Sequence, residues 1–187
     1  MMCEFGIAGP CAGDLLGWVA GCWVAVAGAD RMRLENQIEI QDLLALGDVI
    51  TLPDDDLQLA SVLKSPLFGM DEEQLFDLAH DRGEKSLHAA LMQHAGADSQ
   101  LGKMADHFEE LRKAADQMSL FAFFSHVIDK GGRAAFRERL GASVDEALDH
   151  FLALAQTFGH AGGASLTEFL MFVRATGGEI KRALDNE

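Results

Sequence analysis

Residues 119–132 read SLFAFFSHVIDKGG, an almost wholly apolar segment that closes on two glycines. A helix that is apolar nearly all round belongs inside a protein, and glycine is the usual residue just past a helix end. The segment is therefore expected to be a central helix stopped by Gly131 and Gly132. From Gln37 onward the rest of the chain carries the same kind of signal, with apolar residues at helical spacing between caps and glycines.

Ahead of that segment, Ile38, Ile40, Leu43, Leu44, Leu46 and Val49 mark one amphipathic helix ended by Pro53. Leu57, Leu59, Ala60, Val62 and Leu63 mark a shorter one, ended at Ser65-Pro66 because the residue before a proline avoids the helical region. Asp54, Asp55 and Asp56 behind Pro53 suit a helix N-terminus, where carboxylates meet the positive end of the dipole. Capping boxes of the Ser/Asp-x-x-Glu/Gln form open three further segments: Asp71 with Gln74, Ser143 with Glu146 and Ser165 with Glu168. Ser86 caps LHAALMQHA, and Leu101, Met104, Phe108, Leu111 and Ala115 are helically spaced. These segments predict an all-α protein, an orthogonal array of about eight or nine short helices. One short strand is expected near residues 23–32, where Val24 and Val26 alternate with alanines.

Composition narrows the function. Hydrophobic residues form 49% of the 187-residue chain and charged residues 24%, a globular balance, and no apolar run reaches the ~18 residues of a membrane span. The expected location is the cytoplasm. The formal net charge of -15 repels phosphate backbones over the surface as a whole, so any nucleic-acid contact has to be local. Cys3, Cys11 and Cys22 match no zinc or redox spacing. They lie in an atypical segment, residues 1–23, which lacks a basic signal-peptide region and reads as the remnant of a larger unit; residues 24–187 form the helical domain.

No catalytic constellation emerges. The seven histidines are scattered without HxxxH or HExxH pairs and read as solvated or helix-end residues; PDDDLQL lacks the register of a calcium loop. No Walker-type lysine loop and no GxSxG is present, so no cofactor, metal or independent enzymatic activity is expected. The basic cluster KGGRAAFRERL, with Lys130, Arg133, Arg137 and Arg139, reads first as a solvated helix face and second as a nucleic-acid patch.

Three stretches together carry a more specific signal: VAVAGADRMRLENQIEIQDLLAL, DDDLQLASVLKSPLFGMDEEQLFDLA and SLTEFLMFVRATGGEIKRAL. They resemble consecutive parts of AddA, the motor subunit of the AddAB helicase-nuclease and a UvrD/Rep-like superfamily one DNA helicase. The resemblance runs from Val24 to Leu184. It implies the helical accessory insertion called domain 2B with a fringe of domain 2A, without the ATPase motifs or nuclease carboxylates. It also implies a role in double-strand-break repair. The partners it implies are duplex or tailed DNA and either the remainder of the motor or an AddB-like nuclease subunit.

In such relatives a Gly-Ile-Gly type turn brings main-chain amides close to duplex phosphates, and LKSPLFGM resembles that turn. The resemblance makes Lys64, Ser65 and Gly69 the leading DNA-contact candidates, with Lys130, Arg133 and Arg137 behind them. Lys64 would supply charge, Ser65 a hydroxyl and Gly69 a close backbone approach. The same turn also reads as a plain helix end, with Leu67 and Phe68 tucked into the core. A rival function is an acidic protein-interaction module, docking on the nuclease subunit or forming a homodimer.

Overall fold

The computed structural model describes residues 34–80, 82–160 and 165–177, all within one compact unit, Arg33–Glu187. The expected strand, the cysteines and the boundary between residues 23 and 24 lie outside the described residues. Among those described, every regular element is a helix, as the spacing predicts. The α-helices are α1 (Ile38–Thr51), α2 (Asp56–Lys64), α3 (Glu72–His80), α4 (Leu87–Met92) and α5 (Gln100–Gln117), then α6 (Leu120–Val127), α7 (Arg133–Leu140), α8 (Val144–His160) and α9 (Leu166–Thr176). A 3-10 turn, Leu34–Asn36, precedes α1, and a π-helical segment, Ile128–Gly132, joins α6 to α7.

Local chemistry sets most of the boundaries. Asp55 accepts from the Gln58 amide at 3.1 Å and starts α2. At α3 the capping box closes in both directions: Gln74 N donates to Asp71 at 2.8 Å, and Asp71 N donates to the Gln74 side chain at 3.1 Å. Ser86 and Ser99 cap α4 and α5 in the same manner. Ser165 forms half of its expected box, accepting from Glu168 N at 3.5 Å. The Ser143 box does not form: α8 starts instead with Asp145 N donating to Ala142 O, while the Asp145 carboxylate turns to arginines on α7.

The helix at the centre is α1. Leu43 through Gly47 are consecutively buried, because α1 is flanked by α2, α5, α8 and α9. Contact with α9 is close: a β-carbon built on Gly47 would lie 2.8 Å from a Leu170 methyl. The apolar segment that suggested a central helix instead buries one face of α6. Phe123 and Phe124 are sealed, whereas Phe121 stays 39% exposed. Phe124 meets Phe151 of α8 edge-on at 4.8 Å, and Phe151 meets Phe169 of α9 edge-on at 5.4 Å, an aromatic cluster that ties three helices together.

Nor do the two glycines stop the chain. Gly131 takes φ +127°, a conformation other residues rarely adopt, and breaks the helical path; the chain re-enters a helix at Arg133 with no loop. Gly132 is needed for room, because a β-carbon there would sit 2.7 Å from Val127 O and 3.1 Å from a Leu67 methyl.

Candidate nucleic-acid interface

The turn between α2 and α3 is built from the inside. Ser65 is 4% exposed; its hydroxyl donates to Val62 O at 2.7 Å and accepts from Leu67 N at 3.3 Å. Phe68 N and Gly69 N both donate to Ser65 O, and Met70 N donates to Leu63 O. With Asp71 N held in the capping box, the amides from Leu67 to Asp71 are all bonded within the turn. Ser65 thus organises the turn, and the surface it leaves to a ligand is that of Lys64 and Gly69.

Gly69 sits at φ +67° with no heavy atom within 4 Å of where a β-carbon would be. Its left-handed backbone closes the turn, and its bare outer face is open. Lys64, the last residue of α2, pairs with Glu72 at the start of α3, but the two side chains are 40% and 81% exposed. An exposed pair of this kind contributes about 1 kcal/mol or less, so the Lys64 ammonium is only weakly held.

The turn docks on the second candidate group. Leu67 packs against Gly132, and Arg139 of α7 donates to Lys64 O at 3.0 Å, stabilising the C-terminal carbonyls of α2. Lys130 is exposed and has no ion pair among the described residues. Arg133 and Arg137 are differently placed. Arg133 bonds Asp145 at 3.0 Å and Asp149 at 2.6 Å, while Arg137 clasps Asp145 through Nε at 2.8 Å and Nη2 at 2.5 Å. Those Arg137 bonds, reinforced by Arg133, hold the Asp145 carboxyl below the usual carboxylate range. The two arginines are one turn apart on α7 and face two acids one turn apart on α8, a ladder that joins helices.

Two residues outside the candidate group belong to this surface. Arg139 stands two positions after Arg137, on the opposite side of α7, and so reaches the turn instead of the ladder. Asp42 of α1 lines the same shallow recess as Lys64 and Arg139. Burial pushes its carboxyl up to about 6; Arg139 opposes the shift and Glu39 adds to it. Asp42 gives no motif signal, since only tertiary packing brings it to the recess beside Lys64 and Arg139. No group of three or more His, Cys, Asp or Glu side chains able to hold a metal converges among the described residues.

The result is an all-α scaffold whose exposed turn pairs one displaceable cation with one bare glycine, suited to non-covalent contact. No family model matches the chain. Over 83 residues, 44% of its length, the chain is 31% identical to the A subunit of the ATP-dependent helicase/nuclease of Thermoanaerobacter sp. (strain X514). The identity and coverage are the same with the corresponding protein of Thermoanaerobacter pseudethanolicus. The matched stretch is 7% of either relative, so the chain corresponds to a small part of those proteins. Among the described residues no helix is long and apolar enough to cross a membrane.

Proposed function

We propose that this chain is a helical, 2B-like accessory domain of an AddA-type helicase/nuclease and that it grips duplex DNA through the turn Lys64–Gly69. The observation that carries the reading is the similarity to the ATP-dependent helicase/nuclease, coupled with a helix-turn-helix whose exposed end offers a displaceable lysine and an unobstructed glycine. The domain performs no chemistry of its own. It contacts DNA ahead of a motor supplied by the rest of the helicase, with an AddB-like nuclease subunit as the other partner, and it controls the state of that motor by rotating as a rigid body.

Lys64 supplies the charge, Gly69 the close approach and Ser65 the shape of the turn; Lys130 extends the cationic edge, and Arg133 and Arg137 hold α7 in place beneath it. The test is binding of the purified chain to a tailed duplex at several salt concentrations. Wild-type protein is expected to bind with salt-sensitive affinity, and Lys64→Glu to weaken binding by about one phosphate contact without unfolding the chain. Binding that is unaffected by Lys64→Glu overturns the assignment of the turn.

A second reading, protein docking, has its own observation. Leu52, Leu57, Phe76 and Met171 are each more than 60% exposed, large apolar side chains left to solvent that a partner would cover. Under this reading the chain dimerises or docks on a nuclease subunit. Sedimentation at rising protein concentration separates it from the first, since a DNA-gripping monomer keeps its mass.

A further inference from the structure

Beside the turn, the break at Gly131 opens a cavity of about 180 Å³ between α5, the π-helical segment and α7. Leu67, Leu111, Val127 and Ala135 wall it, and His107 and Lys130 are its titratable side chains. From these features we propose that it is a subsite for one unpaired nucleotide, the base entering the cavity and its phosphate resting on Lys130. The inference rests on the DNA-binding reading and extends it from duplex to the nucleotide at a frayed or tailed end.

Size and chemistry both narrow the ligand. An apolar cavity of ~150 Å³ accepts a benzene-sized ring, whereas drug-sized ligands need roughly 300 Å³ or more. A single planar ring therefore fits and a larger molecule does not. His107 meets the Phe68 ring at a centroid distance of 5.2 Å with the planes tilted by 54°, and no described residue hydrogen-bonds its nitrogens. Burial lowers its pKa; Glu110 opposes this, and His126 and Lys130 add to it. A neutral imidazole offers one donor and one acceptor, the complement of the polar edge of a nucleobase. A short alkyl chain would leave both unsatisfied.

Among the described residues Lys130 has no carboxylate partner at the cavity, whereas Arg82, Arg112, Arg133, Arg137 and Arg174 are all paired with acids. An unpaired ammonium against an apolar recess suits an anionic head on an aromatic body. The left-handed Gly131, with open space where a β-carbon would be, keeps the approach clear.

The test titrates the full chain with thymidine monophosphate, thymidine and inorganic phosphate in turn, following the His107 ring protons by NMR and the affinity by calorimetry. The nucleotide is expected to bind at least about tenfold tighter than either half and to shift the His107 signals, with Lys130→Glu and the cavity-filling Ala135→Leu each weakening it about tenfold. Lys130 is exposed, so its variant reports even if Ala135→Leu fails to fold. Equal binding of inorganic phosphate, or unmoved His107 signals, overturns the subsite. A blunt hairpin duplex run alongside separates the two readings. If the hairpin binds but the nucleotide does not, the subsite alone fails; if the nucleotide binds but the hairpin does not, the duplex grip alone fails.

Discussion

At the scale of single residues, Gly69 carries two separable demands. Its backbone requires a left-handed conformation, and its outer face has to stay bare for a phosphate to approach. Asparagine tolerates the first and violates the second. Gly69→Asn is therefore expected to keep the thermal midpoint within ~2 °C of wild type while losing most DNA affinity. A variant that binds normally would show that the bare face is not used. Asp42 gives a second expectation. Its folded-state pKa, about 6, lies above the ordinary 3.8, so the folded form binds the proton more tightly than the unfolded form. Asp42 thus lowers stability above pH 6, and the penalty is relieved as pH falls from 6 towards 4. Asp42→Asn is expected to raise the midpoint slightly at pH 7.5, and to flatten the pH dependence of melting between pH 4 and 6. Melting curves across that range, in both proteins, check the sign.

At the scale of elements, the sequence is most legible where structure is made locally. The Asp71–Gln74 box, the Ser86 cap and the stop at Ser65-Pro66 each depend on residues at most four apart, and each appears in the fold. What depends on distant packing is not legible. The π-helical segment brings Gly132 against Leu67, far away in sequence, where only a glycine leaves room; nothing in DKGGR records that. Ser65 reads as an available hydroxyl until the turn closes over it. Arg133 and Arg137 read as a solvated helix face or, second, a nucleic-acid patch until α8 supplies Asp145 and Asp149. Close packing of elements also sets stability. A β-carbon on Gly102 would lie 2.0 Å from Ala97 O, a backbone atom that cannot step aside cheaply. Gly102→Ala, which would help an isolated helix, is expected to destabilise this one by ~1–3 kcal/mol. Phe151→Ala, at the centre of the aromatic cluster, is expected to cost ~3–5 kcal/mol. Chemical denaturation of both variants provides the comparison.

At the scale of the whole molecule, the net charge of -15 and the pairing of most described arginines with acids make any nucleic-acid contact narrow. A broad basic face would give a steep salt dependence; a grip through Lys64 and Lys130 gives a shallow one, and the rest of a helicase would supply further affinity. The proposed grip is thus a small number of phosphate contacts centred on one turn. The most direct measurement is the slope of log affinity against log salt for a blunt duplex, for wild type and Lys64→Glu side by side. Each phosphate contact contributes about -0.9 to that slope. A grip through these two lysines predicts a wild-type slope of about -1 to -2 and a loss of about one contact in Lys64→Glu. No binding at low salt, or identical slopes for two folded proteins, would contradict it.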